Sequence, residues 1–181
     1  ICNFSGGKAR EWIPIIPGTD GAVCLTMANL LINEFGIYDR EYIQKKTNGP
    51  YLIKPDGKYP RDEEGEPLLW DLDDNRAKAW SDPTLKTEAM EGVYEVDGVK
   101  CQVVFPVLKE HLKQYTPEWA EGISTVPAAI IRRIAREFGE AAQIGSTINI
   151  EGMNFPYRPV ACIVFRGGAG HSNGFHTYTS I

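Results

Sequence analysis

Two short stretches of this chain combine glycine, small hydroxyls and charged or imidazole side chains as ligand-binding junctions do. The first is Pro14-Ile15-Ile16-Pro17-Gly18-Thr19-Asp20. An apolar segment ends there, Gly18 lets the backbone turn, and Thr19 and Asp20 stand where a helix begins. In open α/β sheets, ligands bind beyond the carboxyl ends of strands. A carboxylate at Asp20 offers two oxygens to the ring N–H and exocyclic amine of a guanine, and a helix N-terminus stabilises its charge. The same residues also suit an ordinary cap, because Thr and Asp are favoured at helix starts whatever lies beyond them. Both readings stand on the residues alone.

The second stretch is Phe165-Arg166-Gly167-Gly168-Ala169-Gly170-His171-Ser172-Asn173-Gly174. Its glycines permit close approach of backbone to a phosphate or a flat ring. Arg166 can pair with a pyrophosphate, and His171, Ser172 and Asn173 offer short polar contacts beside Gly170 and Gly174. The spacing is not the GxGxxG of dinucleotide folds, and a glycine-rich turn before a capped helix accounts for it equally. A third segment, Cys2-Asn3-Phe4-Ser5-Gly6-Gly7-Lys8, places Asn3 where a ribose or phosphate could be met. It lacks the P-loop spacing, which favours a surface loop over a ligand site.

Other chemistry is poorly served. Ser172 and His176 stand at helical spacing, but no acidic residue is adjacent to orient the imidazole. His111, His171 and His176 are too scattered for a zinc motif, and Cys2, Cys24, Cys101 and Cys162 form no CxxC pair. Cys24 and Cys162 have apolar neighbours and are expected to be buried thiols. The acidic runs at Asp62-Glu63-Glu64 and Asp71 to Asp74 read as a solvated face, without calcium-loop spacing.

The elements that position these residues follow from periodicity. Residues 12–16 fit a buried strand. A helix of about four turns is predicted from Asp20 to Phe35, with Val23, Met27, Leu30 and Leu31 on one face and Gly36 as its stop. Asp39 caps a second helix over 40–46. Residues 51–53 are extended. From about 55 to 92, Pro, Gly, Asp and Glu dominate, and Trp70, Trp80 and Leu68-Leu69 pin an otherwise irregular excursion to the surface. Asp97-Gly98 centres a hairpin between 93–96 and 99–105. Residues 107–114 look helical, Thr116-Pro117 starts another helix, and Pro127 opens the clearest one, striped by Ile130, Ile131, Ile134, Ala135 and Phe138. Strands are expected at 146–150 and 160–165. Alternating strands and helices predict an α/β domain with a mainly parallel sheet, spanning 1–181 with an irregular insertion at about 55–92.

The chain has 181 residues, 43% of them hydrophobic, and a formal charge of −5. That composition suits one soluble domain and argues against a nucleic-acid partner, which would need a basic stripe. No apolar run reaches the roughly 18 residues that cross a bilayer, so direct membrane insertion is not expected. Ile1-Cys2-Asn3-Phe4 reads like the tail of a strand and Thr177-Tyr178-Thr179-Ser180-Ile181 carries no terminal signal, which reads as an internal stretch of a longer chain.

Several blocks, in order along the chain, resemble the bis-molybdopterin-guanine-dinucleotide oxidoreductases of the dimethyl sulfoxide reductase family. Glu11 to Ala22 resembles that family's W-x-P-I-x-P-G-T-D-x-A segment. Ile37-Tyr38-Asp39-Arg40-Glu41-Tyr42 is similar to its YD-x-x-F, and Thr47-Asn48-Gly49-Pro50-Tyr51-Leu52-Ile53 to its TN-x-P-x-L-V. Tyr115 to Glu121 and Val126 to Phe138 look like Y-T-P-E-x-A and V-P-A-x-x-I-x-x-I-A-R-E-F, and His171-Ser172-Asn173-Gly174 resembles the closing H-x-N-G. The resemblance implies a Rossmann-like middle region holding one pterin dinucleotide, with Asp20 at the guanine end and His171, Ser172, Asn173 and Gly174 near the pterin. Cys2-Asn3-Phe4 departs from the Asp-Pro-Arg often found at the upstream strand end. It further implies molybdenum or tungsten in the full-length parent, a metal ligand and an iron–sulfur cluster upstream of this region, and no catalytic residue within it. The partners implied are the remaining domains of the same polypeptide, a small-molecule substrate and an iron–sulfur electron-transfer subunit. An unrelated nicotinamide-dependent enzyme and a non-catalytic binding fragment are the alternatives.

Overall fold

Helix signals in the sequence translate directly into local structure. In the computed structural model, which describes residues 6–163, 170, 172 and 174–180, Asp39 accepts a hydrogen bond from the Tyr42 N–H at 3.0 Å and starts α2 (Arg40–Lys46). Thr116 does the same for Trp119 at 3.2 Å, with Pro117 as the first residue of α4 (Pro117–Ser124). Such caps satisfy N–H groups that have no partner in the first turn. The first helix, α1 (Asp20–Asn29), passes into a π-helical turn, Leu30–Glu34, closed by Phe35 N–H to Leu30 C=O at 2.8 Å. Gly36, at φ +65, then ends the run where expected.

The chain divides into two compact units, residues 1–38 with 112–181, and residues 39–111. In the first unit, α1 packs with α4 and with α5 (Ala128–Ala141) around Val23, Leu30, Ala120, Val126, Ile131 and Ala135. The stripe on α5 is buried at Ile131, Ala135 and Gly139, one turn apart. A Cβ at Gly139 would lie 2.5 Å from Leu31 Cδ2 and 3.1 Å from Ile37 Cγ2, so the missing side chain sets how closely the helix and the π-turn approach. Arg136 lies 4.0 Å from the Phe35 ring centre. The unit also contains the hairpin β6–β7 (Thr147–Ile150, Met153–Pro156) and α6 (Gly174–Ser180).

The second unit is wider than the expected excursion over 55–92 and more regular. It holds α2, most of α3 (Val104–Leu112), a three-stranded antiparallel sheet in the order β1 (Leu52–Ile53), β5 (Val99–Val103), β4 (Val93–Val96), and the hairpin β2–β3 (Leu68–Asp71, Arg76–Ala79). Its core is Leu52, Leu68, Ala89, Val96, Cys101 and Val103. Asp97 and Gly98, both at positive φ, turn β4 into β5 as the sequence predicts. Trp70 stacks on Tyr94 with ring centres 4.6 Å apart, whereas Trp80 is left exposed.

The acidic run at 71–74 is not simply a solvated face. Asp71 is fully buried and accepts a hydrogen bond from Lys78 Nζ at 2.6 Å; Lys78 also reaches Asp74 at 2.5 Å and the Thr84 carbonyl at 2.7 Å. The backbone N–H groups of Asp73 and Lys86 donate to Asp71 as well. A buried charge persists only when paired and hydrogen-bonded, and this cluster meets that condition while closing the loop after β3. The Lys78 hydrogen bond, aided by those backbone donors, holds the Asp71 carboxyl well below the ordinary carboxylate range.

All strand pairs among the described residues are antiparallel. Residues 12–16 have no regular secondary structure and lie outside any sheet; the Ile16 N–H goes to the Ser124 carbonyl at a helix end (3.1 Å) rather than to a neighbouring strand. Of the strand expected at 160–165, residues 160–163 have no regular structure, and the rest lies outside the described residues. Cys162 is accordingly exposed and Cys24 only half-buried, against the expectation of two buried thiols; Cys101 is the buried one.

Candidate functional site

The turn ahead of α1 is held at both ends. The Ile16 N–H donates to the Ser124 carbonyl, and the Ile16 carbonyl in turn accepts from the Thr19 hydroxyl (2.6 Å) and the Thr19 N–H (3.2 Å). Gly18 sits at φ +85, a conformation that costs other residues about 1–2 kcal/mol. Thr19 therefore folds back over the turn and makes no side-chain cap to the helix. The helix is fixed farther along, where Asn29 Nδ2 donates to the Tyr115 carbonyl at 3.0 Å and Thr26 Oγ1 to the Thr116 carbonyl at 3.4 Å. Glu11 ties the preceding segment to α5 through a two-pronged ion pair with Arg133 at 2.6 and 2.7 Å.

Against the first turn of α1 lies α6. The contact is close because Gly21 has no side chain: a Cβ there would come 3.3 Å from Thr177 Oγ1 and 3.5 Å from Thr177 Cα. Thr177 is buried at 2% exposure, and Gly174 at the start of the helix is buried too. This packing brings the Gly18-Thr19 turn and α6 into one neighbourhood, although they are more than 150 residues apart in the chain. Beside it opens a cleft of about 260 Å³, lined by Gly18, Thr19, Leu25, Trp119, Ile123 and His176, together with Gly21, Ala22 and Thr177. The lining combines apolar side chains and an indole with hydroxyls, an imidazole and turn backbone.

The residues singled out in the sequence distribute as follows. Gly18 and Thr19 line the cleft. Asp20 is the first residue of α1, half-buried and next to the cleft rather than on its wall, and its carboxylate takes no hydrogen bond among the described residues. Gly170 and Ser172 are exposed in the approach to α6, and Gly174 is buried where it begins. Asn3, Arg166, His171 and Asn173 lie outside the described residues. Sequence reasoning misses Trp119 and Ile123. Their signal is an apolar pair four apart on α4, off the buried stripe of Ala120 and Ser124, which leaves both side chains more than a third exposed. Cys24, one turn beyond Asp20, is no metal ligand candidate: burial pushes its thiol up to about 11, helped by nearby Cys162 and Asp20. Among the described residues, no three His, Cys, Asp or Glu side chains converge as a metal would require, and no helix is long and apolar enough to cross a membrane.

Comparison with known proteins places the chain. No family model matches it. It is 34% identical to a sulfite dehydrogenase subunit of Allochromatium vinosum over 96% of this chain and 20% of that protein. It is 30% identical to the perchlorate reductase alpha subunit of Dechloromonas aromatica over 77% of the chain and 20% of the relative. It is 28% identical to the molybdopterin-containing subunit of the arsenate respiratory reductase of Chrysiogenes arsenatis over 77% of the chain and 13% of the relative. The chain thus spans a fifth or less of the length of these curated relatives. With 34% identity to the sulfite dehydrogenase subunit over nearly the whole of this chain, the chain belongs to the dimethyl sulfoxide reductase family of molybdopterin oxidoreductases.

Proposed function

We propose that this stretch is a cofactor-holding part of a molybdenum or tungsten oxidoreductase that transfers electrons or oxygen atoms, and that it receives the guanine end of a molybdopterin guanine dinucleotide at the Pro17–Asp20 turn. The observation carrying this reading is the α1–α6 packing at Gly21, which sets the Gly18-Thr19 turn and the α6 residues His176 and Thr177 around one cleft, with Asp20 next to it. The residues fit a planar base. Trp119 and Ile123 supply apolar surface, Gly18 and Gly21 add backbone without side chains to the lining, and the Asp20 carboxylate is unspent on the protein's own donors among the described residues. The size matters too. Ligand clefts that enclose a whole small molecule run to roughly 300–1,000 Å³, so about 260 Å³ suits one ring system and leaves the remaining cofactor to other parts of the polypeptide.

On this reading the bound cofactor supplies the redox chemistry, while the chain binds and orients it. His171, Asn173 and Arg166 belong to the pterin and pyrophosphate side of the same proposal. The mainly parallel, Rossmann-like layer expected from the resemblance would be assembled with other domains of the polypeptide. An iron–sulfur cluster and the metal ligand would be supplied upstream, and a separate iron–sulfur subunit would exchange electrons with the whole.

The test has two parts. Metal and pterin analysis of the full-length subunit should return molybdenum or tungsten with guanine nucleotide; a nicotinamide instead would overturn the reading. In the same subunit, Asp20→Ala should lower guanine nucleotide content about tenfold or more, since a lost charge-assisted pair of hydrogen bonds is worth roughly 1.5–3 kcal/mol. Full cofactor loading in that variant would remove Asp20 from the site.

A further inference from the structure

The hairpin β6–β7 is firmly hydrogen-bonded and yet left uncovered. Its turn residues, Glu151 and Gly152, both lie at positive φ (51 and 86), the conformation of a tight two-residue hairpin. Asn149 Nδ2 donates across the strands to Asn154 Oδ1 at 2.9 Å, and Asn149 Oδ1 accepts from the Gly152 N–H at 3.1 Å. At the open end the Tyr157 N–H donates to the Ser146 carbonyl at 2.8 Å, which also accepts from Arg158 at 3.2 Å. The register pairs Ile148 with Phe155 and Ile150 with Met153, so these four share one face; Thr147, Asn149, Asn154 and Pro156 share the other. The apolar four are 40%, 51%, 60% and 41% exposed at Ile148, Ile150, Met153 and Phe155, and no described residue buries them.

Alternation with period two is how a strand is patterned when one face is to be buried, and two strands alone are marginal in water. Charge points the same way. Strand edges that face solvent are normally guarded by lysine or other charges, yet residues 144–157 carry a single charged side chain, Glu151 in the turn. A surface depleted of charge resembles the centre of a lasting interface rather than a transient one. The extent of chain around it supplies the occupant: four fifths of the aligned sulfite dehydrogenase subunit lies outside the matched stretch.

We propose that the Ile148–Ile150–Met153–Phe155 face is an interdomain docking surface, covered in the full-length subunit by another stretch of the same polypeptide. This rests on the reading of the chain as part of a longer molybdopterin subunit, and cofactor analysis of the same preparation tests that reading separately. The experiment is oxidative footprinting of Met153 in the full-length subunit, purified away from other subunits and studied over a dilution series, with its urea-denatured form as the reference. Met153 should be oxidised about tenfold or more slowly than in the denatured subunit, independently of concentration. Oxidation within about twofold of the denatured rate, or protection that disappears on dilution or on removal of partner subunits, would overturn the proposal, the latter two by assigning the face to a second copy or a separate protein. As a check on the face itself, Ile150→Lys should abolish the protection of Met153, while Thr147→Lys on the opposite side should leave it intact.

Discussion

Gly21 is the position where fold and proposed function meet, and the structure sets the size of the effect of changing it. For Gly21→Ala, the new Cβ would stand 3.3 Å from Thr177 Oγ1 and 3.6 Å from Ser180 Oγ. Both are side-chain oxygens that can give by a few tenths of an ångström, and alanine gains up to about 1 kcal/mol of helix propensity over glycine. The terms nearly cancel, so the substitution should be close to neutral. For Gly21→Leu, further carbons must pass Thr177 Cα, which is 3.5 Å from that Cβ and is backbone. It cannot rotate aside, so α6 must move; overpacking of this kind costs about 1–3 kcal/mol. That corresponds to roughly 5–150-fold in the ratio of docked to undocked helix. Amide hydrogen exchange of residues 174–180 reads it directly: the leucine variant should exchange faster by that factor, the alanine variant near the parent rate, and the amides of α5 should not change. Unaltered exchange in the leucine variant would refute the claim that Gly21 sets the α1–α6 approach.

Other outcomes follow from the same structure. Ile131→Ala, at a site with no exposed surface, should cost about 2–5 kcal/mol by leaving a cavity in the first unit, seen as a lower urea midpoint at unchanged slope. The Asp71 carboxyl is held low chiefly by the Lys78 hydrogen bond, so its contribution to stability is complete above the unfolded carboxylate pKa of roughly 3.9 and is lost as pH falls through the lower folded value. A pH series of melts should thus decline only below about pH 4 for this cluster, and that decline should weaken in Asp71→Asn. Cys24, with its thiol raised to about 11, should alkylate at pH 8 about a hundredfold more slowly than an ordinary thiol, which peptide mapping after timed labelling will show; equal labelling of Cys24 and exposed Cys162 would contradict the burial.

Much of the local structure was legible in the residues. Asp39, Thr116-Pro117, Gly36 and Asp97-Gly98 are read correctly because each acts on its own neighbours: a carboxylate or hydroxyl reaches an N–H three residues on, and a glycine takes a positive φ. The stripe on α5 is legible for the same reason, since helical spacing alone decides which side is apolar. The order of family motifs likewise needed no coordinates. What only the tertiary structure decided are matters of partnership between distant residues. The apolar run at 12–16 has the composition of a strand, but the Ile16 N–H finds a helix end instead of a sheet. Asp71 is like its acidic neighbours in sequence and differs only because Lys78 and a later loop close over it. The Gly18-Thr19 turn and His176 of α6 come to line one cleft because Gly21 lets α6 lie against α1, and a hairpin pattern says that a face is to be buried without saying by what. Short-range rules end where hydrogen bonds and packing must choose among partners far along the chain.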